Sequence, residues 1–420
     1  MSFELYEYKI EDLGKVITGK TPPSKISDAF SAQGIPFVTP KDMDGRRLID
    51  KTERYLSSQG VEAVRNCLLP QNSIAVSCIG SDMGKTVLLP GESITNQQIN
   101  AIVVDSEHFD YKYVYYYLST LQDDFKAIAG GSATPILNKG HFSQFKVSLP
   151  VKPVQNKIAL ILDSLDTKIE VNTEINHTLE QMAQALFKSW FVDFEPVKAK
   201  MAVLEAGGSQ EDATLAAMTV ISGKDSDALV VFEREHPEQY AELKATAELF
   251  PSAMQDSELG EIPEGWSIKP LDGIATYQNG LALQKFRPEN ENDFLPVVKI
   301  AQLKKGFSDG EEKASPNIKP ECIIDNGDVV FSWSGSLMVD IWCGGKAALN
   351  QHLFKVSSTK YPKWLYYKYT AHHLIEFQRI AEAKAVTMGH IKREHLSQAK
   401  CLMPSSETVH AFTPFFEPVL

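Results

Sequence analysis

The sequence contains two copies of one domain pattern, and this internal repeat constrains the fold more than any other feature of the chain. Seven pairs of similar segments occur in the same order in both copies, always 251 to 260 residues apart. A fixed order and spacing of this kind indicates that a structural unit has been duplicated. The chain is therefore expected to form two similar domains. The paired segments begin at Tyr8 and Trp266, Ile35 and Leu295, Cys67 and Cys322, Asn96 and Asn350, Lys112 and Lys363, His141 and His395, and Leu149 and Met403.

Each copy combines short β-rich runs, separated by Gly, Pro and Asn turns, with one aromatic helical stretch. This pattern predicts an α+β fold made of two similar α/β domains with mixed or antiparallel sheets. The β-rich runs are Ser73–Cys78 and Ala101–Val104 in the first copy, and Asp328–Trp333 and Leu353–Val356 in the second. The helical stretches lie near Tyr111–Ala127 and Pro362–Ala381. Aromatic residues recur in them at helical spacing, which favours a place in the core over a stacking surface. They are Tyr111, Tyr113, Tyr115, Tyr116 and Tyr117, mirrored by Trp364, Tyr366, Tyr367 and Tyr369.

A single long amphipathic helix is predicted between the two copies. From Val154 to Trp190 the apolar residues are three, four or seven positions apart, and neither Gly nor Pro interrupts them until Pro196. A helix with such a stripe needs a partner along its length, most simply in an antiparallel pair. The residues expected to dock a partner helix or subunit are Ile158, Leu162, Leu165, Ile169, Leu179, Met182, Leu186 and Trp190.

The formal net charge of −12 is concentrated in one segment. Residues 202–265 carry 3 basic and 14 acidic side chains, so the rest of the chain is close to neutral and a nucleic-acid partner is not excluded. The Ala- and Glu-rich composition there predicts short, acidic, exposed helices or a partly ordered linker. After Pro404 the repeat predicts a second long helix, of which only the start is present. The predicted organisation is a first domain at 1–151, the long helix at 152–201, the acidic linker at 202–257, a second domain at 258–404 and the start of the distal helix at 405–420.

One short stretch suggests a different class of protein. Gly14–Thr21 has the spacing G-x-x-x-x-G-K-[ST] of a nucleotide-binding P-loop, and an apolar run ending at Asp105 resembles a magnesium-binding strand. A P-loop opens a long helix, whereas Pro22 and Pro23 follow here, and the second copy lacks the Gly-Lys-Thr sequence. A P-loop NTPase is therefore the disfavoured alternative. A scaffold that recruits partners without binding DNA is a further one.

Three segments resemble the specificity (S) subunit of type I restriction–modification enzymes, and the resemblance covers nearly the whole chain. Leu179–Lys198, with the sequence LEQMAQALFKSWFVDFEPVK, is similar to the central conserved region of that family. Asp256–Trp266 is similar to the lead into a second target-recognition domain, and Leu149–Ile158 to the entry into the first conserved helix. The chain departs from the family at its C-terminus, where most of the distal helix is absent.

The resemblance implies a role as a non-catalytic subunit. In that family two target-recognition domains each recognise half of a bipartite, asymmetric DNA sequence, and two long antiparallel helices set the spacer between the halves. The helices also dock methyltransferase (M) subunits, which modify adenine with S-adenosylmethionine, and restriction (R) subunits add ATP- and magnesium-dependent translocation and cleavage. We therefore expect this chain to bind no cofactor and no metal, to act in the cytoplasm, and to have double-stranded DNA, M subunits and R subunits as partners. Self-association through the long helix is a further expectation.

Polar residues on loops at equivalent places in the two copies are the candidates for DNA contact. Phosphate contacts mostly fix position, and base edges carry the sequence information. For the Asn-Gln pairs at Asn96 and Asn350, a structural turn is the competing interpretation. The candidates in the first copy are Lys20, Thr21, Thr39, Lys41, Ser81, Lys85, Ser132, Thr134 and Asn138. In the second copy they are Lys285, Lys299, Gln302, Lys304, Ser336, Thr387, His390 and Lys392.

Overall fold

The computed structural model describes residues 4–80, 82–128, 136–290, 292–383 and 389–417. The chain divides into two compact units, Met1–Asn172 and Thr173–Leu420, here called unit 1 and unit 2. Each unit contains one copy of the repeat.

Unit 1 is built around an antiparallel sheet with the strand order β2-β9-β6-β7. A smaller sheet, β3-β5-β4-β8, is antiparallel except for the parallel pair β4 and β8, and β1 pairs with β10. The strands are β1 (Tyr6–Lys9), β2 (Gly14–Thr18), β3 (Phe30–Ser31), β4 (Ile35–Val38), β5 (Tyr55–Leu56), β6 (Ser73–Ser77), β7 (Thr86–Leu89), β8 (Ile94–Thr95), β9 (Ile99–Val104) and β10 (Lys146–Leu149). The helices are α1 (Ser58–Ala63), α2 (Tyr111–Ser119), α3 (Gln122–Ile128), α4 (Lys139–Gln144) and α5 (Lys152–Phe191), which continues into unit 2.

The alternation of side chains along the strands gives the central sheet two buried faces. Ile74 and Val76 of β6 pack on one face against α2, α3 and α4, where Val114 and Phe125 are fully buried. Ala75 packs on the other face against the smaller sheet. The predicted single aromatic helix of this copy is two helices, because α2 ends at Ser119 and α3 begins at Gln122.

Unit 2 repeats this architecture. Its central sheet has the order β14-β21-β18-β19, its smaller sheet the order β16-β15-β20-β17, and β13 pairs with β22. The strands are β11 (Met254–Ser257), β12 (Gly260–Pro263), β13 (Ser267–Pro270), β14 (Thr276–Asn279), β15 (Leu295–Val298), β16 (Lys313–Ala314), β17 (Ile323–Ile324), β18 (Val329–Ser332), β19 (Met338–Ile341), β20 (Ala347–Leu349), β21 (Leu353–Ser357) and β22 (Lys400–Met403). Its helices after α5 are α6 (Glu195–Glu205), α7 (Gln210–Ser222), α8 (Ser226–Glu235), α9 (Pro237–Glu248), α10 (Leu271–Ile274), α11 (Ile300–Lys305), α12 (Lys363–Ala383), α13 (Arg393–Gln398) and α14 (Ser406–Phe416). The α+β prediction with mixed sheets is confirmed.

The predicted core role of the aromatic residues is also confirmed for most of them. Tyr113 and Tyr115 are buried in unit 1, and Tyr111, Tyr116 and Tyr117 pack against the same core with part of each ring accessible. In unit 2 all four equivalent residues are buried: Trp364, Tyr366, Tyr367 and Tyr369. The burial of these four residues leaves them no exposed face on which bases could stack.

The Ala- and Glu-rich segment forms the helices α6 to α9, which have a buried face of their own. Ala217, Met218 and Leu243 belong to the core of unit 2, and the ammonium group of Lys200 donates to the carbonyl of Phe250 at 2.6 Å. The description of this segment as exposed therefore holds only for its charged face. Phe194, in the left-handed conformation with a φ of 56°, separates α5 from α6.

The end of the long helix lies in the core of unit 2 together with the C-terminal helix. The ring of Trp190 is 4.9 Å from that of Phe412, and Phe191 lies 6.2 Å from Phe416. Phe416 also stacks on Trp364 at 4.4 Å. Within the described part of the chain, no helix is both long and apolar enough to span a membrane.

Candidate nucleic-acid interface

The loop that follows β2 in unit 1 is held against the turn between β8 and β9. The backbone N–H of Lys20 donates to the carbonyl of Thr95 at 2.9 Å, and Thr21 Oγ1 donates to Gln97 Oε1 at 2.8 Å. A Cβ atom on Gly19 would lie 2.2 Å from the carbonyl oxygen of Thr95, so only glycine permits this approach. The predicted residue Lys20 consequently presents an exposed side chain from a fixed backbone.

This geometry contradicts the P-loop interpretation. Gly14–Thr18 is strand β2 and pairs antiparallel with β9, whereas a P-loop follows a strand and opens a helix. Residues 19–57, all of which the structure describes, contain no α-helix. The strand before Asp105 is β9, the antiparallel partner of β2. These residues therefore do not fit a nucleotide or its magnesium ion.

A second turn of unit 1, at the end of β4, is built around a buried carboxylate. Asp42 Oδ2 accepts hydrogen bonds from the backbone N–H and the hydroxyl of Thr39 at 2.8 and 2.7 Å. Its other oxygen accepts from the N–H of Glu53 at 2.9 Å. The predicted contact residue Thr39 thus uses its hydroxyl inside the protein, whereas the side chain of Lys41 is exposed.

The remaining predicted residues of unit 1 lie on neighbouring loops. Lys85 pairs with Asp82 at 2.9 Å. Asn138 accepts the N–H of His141 at 2.9 Å and so caps helix α4. Ile79 and Ile136 form a bridge that joins these two loops. The predicted residues Ser81, Ser132 and Thr134 lie outside the described residues.

In unit 2 the structure brings several predicted residues together. Lys304 Nζ lies 3.0 Å from Ser336 Oγ. Gln302 Oε1 accepts the backbone N–H of Lys299 at 3.2 Å, as Asp42 does for its own turn in unit 1. The ammonium group of Lys299 contacts the carboxylate of Glu312, which partly neutralises it.

The loop after β18 in unit 2 adds aromatic and imidazole groups to the same edge. Ser334 Oγ lies 2.9 Å from His352 Nδ1, and Ser334 also bridges to His390 through the backbone. The ring of the predicted residue His390 lies 6.2 Å from that of Trp333. This edge of unit 2 corresponds to the edge of unit 1 that carries the loop at Ile79.

Three further predicted residues of unit 2 remain. Lys285 is exposed on a 3-10 turn, and Lys392 is exposed at the start of α13, where its ammonium group lies 3.5 Å from Glu394. Thr387 lies outside the described residues.

The predicted docking residues on α5 fall into two groups. Leu165, Ile169 and Met182 are 55%, 62% and 58% exposed. Trp190 is fully buried in the core of unit 2, where its ring packs against Phe412 of α14, so this side chain offers no surface to a partner subunit. Others are partly buried, and of these Leu186 packs against the same core as Trp190. The partly buried residues are Ile158, Leu162, Leu179 and Leu186. Leu160 and Ile161, which are not among the predicted docking residues, extend the exposed apolar surface at 68% and 62%.

One group of possible cation ligands occurs among the described residues. Asp105, Glu107 and His108 are all exposed, and their ligand atoms lie within 4.8 Å of one another. Asp105 accepts a hydrogen bond from the N–H of Glu107 at 3.0 Å and contacts His108 Nδ1 at 2.7 Å, and the contact with His108 lowers the pKa of Asp105. These hydrogen bonds stabilise the turn before α2, and this structural role explains why the three side chains lie close together.

Sequence reasoning missed one arginine near the candidate residues. The guanidinium carbon of Arg54 lies 4.5 Å from the ring centre of Phe30 and 5.3 Å from that of Phe37. Its position in the repeat is the signal that could have identified it. Arg54 immediately precedes β5, and Glu312 occupies the equivalent position immediately before β16 in unit 2.

The comparisons with known proteins agree with this repeated architecture. The profile of the family described as "Type I restriction modification DNA specificity domain" matches residues 4–181 and 263–413. These matches cover more than half of the chain, one for each copy of the repeat, and the chain therefore belongs to this family.

Individual relatives match over different lengths. The specificity subunit of the type I restriction enzyme HindI from Haemophilus influenzae is 43% identical over 166 residues, which cover 38% of this chain and 36% of that relative. The MjaIX specificity subunit from Methanocaldococcus jannaschii is 24% identical over 98% of this chain and 85% of its own length. The S subunit structure from M. genitalium covers 100% of this chain and 90% of its own, at 12% identity and a TM-score of 0.47.

Proposed function

We propose that this chain is the DNA sequence-recognition subunit of a type I restriction–modification system. The observation that carries the proposal is the pair of loop edges, which share one backbone framework and differ in their side chains. Gly19 and Gly280 both pack against the turn that follows β8 or β20, where a Cβ atom would lie 2.2 or 2.3 Å from a carbonyl oxygen. A shared framework with different side chains suits two domains that recognise different halves of an asymmetric target.

Contacts with both phosphates and bases are part of this proposal. The exposed ammonium groups of Lys20, Lys41, Lys285 and Lys392 suit contacts with phosphate, which strengthen binding to any sequence. Lys304 and Ser336, which lie 3.0 Å apart, combine a cation with a hydroxyl and suit either kind of contact.

Docking of methyltransferase and restriction subunits is assigned to the long helix. Exposed apolar side chains of α5 support this assignment, because an apolar stripe on a helix is stabilised when a partner covers it. Leu165 and Met182 are two of these side chains, at 55% and 58% exposure. Self-association through the same helix is the competing use of this surface.

Catalysis and cofactor binding are assigned to the partner subunits. In this proposal the chain is non-catalytic, and S-adenosylmethionine, ATP and magnesium bind to the M and R subunits. The antiparallel strand at Gly14–Thr18 supports this division, because it removes the one nucleotide-binding pattern noted in the sequence.

The test is to map methylated adenines produced by the complex of this chain with its M subunit. We expect two short motifs separated by an unrecognised spacer of fixed length. The matched control carries Leu165→Glu and Met182→Glu, which place charges on the α5 stripe and are expected to abolish complex formation. Methylation without sequence preference in the unmodified complex would contradict the proposal. If a domain from a relative replaces residues 1–150 and the methylated sequence stays unchanged, the chain is a scaffold instead.

A further inference from the structure

A cleft occurs at the same place in each of the two units. In unit 1 it has a volume of about 370 Å³ and lies between the turn after β4 and the turn after β8. In unit 2 a cleft of about 1070 Å³ lies between the segments after β15 and β20. These strands correspond, because β4 pairs parallel with β8 and β15 pairs parallel with β20. Both clefts lie on the loop edges described above.

Some residues around the clefts are the same in both units and are used for structure. The side chain of Asn96 accepts the N–H of Gln98 at 3.0 Å, and that of Asn350 accepts the N–H of His352 at 3.2 Å. The N–H groups of both asparagines donate to the strand across the cleft at 3.0 Å. These asparagines form Asx turns, which is the structural interpretation considered from the sequence.

Other positions around the clefts are equivalent in place and different in chemistry. Following the strand register, the pairs in unit 1 and unit 2 are Thr39 and Lys299, Lys41 and Ala301, Arg54 and Glu312, and Gln98 and His352. All eight residues line their cleft. The framework is therefore constant while the lining differs, which is the pattern required of two sites that select different ligands of one class.

The charges of the two clefts differ most at the Arg54 position. Stacking on Phe30 and Phe37 fixes the guanidinium of Arg54 without using its N–H donors, and no ion pair of Arg54 occurs among the described residues. At the equivalent position of unit 2 a carboxylate, Glu312, binds the ammonium group of Lys299. At this position the unit 1 cleft thus offers a planar cation with available donors, and the unit 2 cleft offers a neutralised pair.

We propose that the two clefts are base-recognition sites and that the differing residues at the Arg54 and Gln98 positions determine which bases each unit selects. This inference rests on the proposed function. In unit 1, Arg54 donates two hydrogen bonds to O6 and N7 of a guanine in the major groove, the pairing for which a guanidinium fork is suited. The amide of Gln98, whose Oε1 accepts from Asn96 Nδ2 at 3.1 Å, contacts the neighbouring base.

Arg54→Gln in the full chain with its M subunit tests this assignment by a binding selection over randomised DNA. We expect discrimination for guanine at one position of one half-site to fall by about 5- to 150-fold, with the other half-site unchanged. Arg54→Lys keeps the charge but lacks the fork, so it is expected to lose the same discrimination while retaining most of the affinity. Because Arg54 is exposed, neither substitution removes a core residue.

Arg65→Gln is the matched control, because Arg65 is 73% exposed, pairs with Glu62 and does not line the cleft. We expect it to leave the base preferences of both half-sites unchanged. The inference is overturned if Arg54→Gln weakens binding to all sequences equally, or if it alters neither half-site while the unmodified complex remains specific. Absence of any sequence preference in the unmodified complex would instead contradict the proposed function itself.

Discussion

Arg47 joins the first domain to the long helix, and its removal is the most direct test of how that domain is held. Its guanidinium donates to Asp163 at 2.6 Å and to both oxygens of Glu170 at 3.0 and 3.2 Å. The backbone of Arg47 is fixed as well, because its carbonyl accepts the N–H of Leu88 in β7 at 2.9 Å. Arg47→Met keeps a side chain of similar length and removes the charge and all donors.

The expected cost follows from the burial of each partner. The Arg47 side chain is 11% exposed and that of Asp163 is 21% exposed, so this charged hydrogen bond contributes about 1.5–3 kcal/mol. Glu170 is 42% exposed and regains water when the arginine is removed, so its contact contributes about 0.5 kcal/mol. Asp163 keeps Lys112 as a partner at 2.5 Å, which limits the penalty of an unpaired charge. The sum is about 2–3.5 kcal/mol for separation of the helix from the domain.

Hydrogen–deuterium exchange of the full chain, followed by mass spectrometry, measures this separation. We expect amide exchange in the first half of α5 and around Arg47 to become about 30- to 400-fold faster in Arg47→Met. Arg46→Met is the control, because Arg46 forms ion pairs with exposed Asp44 and Asp50, and the loss of these pairs should cost less than about 1 kcal/mol. Equal effects of the two substitutions would refute the assignment.

The same contact has a defined dependence on pH. Partial burial raises the pKa of Asp163, but hydrogen bonds from Lys112 and Arg47 outweigh burial and leave it below its ordinary value of 3.8. A carboxyl with a depressed pKa stabilises the fold fully above its unfolded value and loses this contribution as the pH falls through its folded value. The difference in exchange between the unmodified chain and Arg47→Met should therefore be constant near neutral pH and decrease as the pH falls below that ordinary value.

Three further predictions concern other parts of the chain. Gly19→Ala should lower the free energy of unfolding by about 1–3 kcal/mol, because the new Cβ atom clashes with the carbonyl oxygen of Thr95. Gly91→Ala is the control, since its Cβ atom meets open space and should change the free energy little. Urea unfolding of the two variants measures the difference. Trp190→Ala should cost about 3–5 kcal/mol by emptying a core position, while Met182→Ala should leave stability nearly unchanged and weaken binding of the M subunit, as measured by calorimetry. Lys20→Ala should give the same absence of heat on titration with ATP as the unmodified chain, and heat that only the unmodified chain produces would restore the P-loop hypothesis.

Periodicity and repetition were sufficient to predict most of the architecture. The long helix, predicted from Val154 to Trp190, runs from Lys152 to Phe191, because a stripe of apolar residues without Gly or Pro has few other solutions. The four β-rich runs correspond to strands of the central sheets, because each run is bounded by turn-forming residues. The burial of the helices after Glu195 was not predicted, because their weakly amphipathic, Ala-rich sequences become informative only when the neighbouring core is known.

The candidate site was less accessible to prediction, for a reason that its residues make clear. A sequence identifies polar residues on loops, but it does not tell which polar groups are already engaged. Thr39 is a predicted contact residue but uses its hydroxyl to cap a turn, whereas Arg54 is not among the predicted residues and keeps its donors available above two aromatic rings. The distinction between these residues lies in the hydrogen bonds made across the fold by segments distant in sequence. Comparison of equivalent positions in the two units separates these roles. Positions whose side chains have the same internal partner in both units belong to the framework. Positions that line the cleft in both units but differ in chemistry are the ones expected to determine specificity.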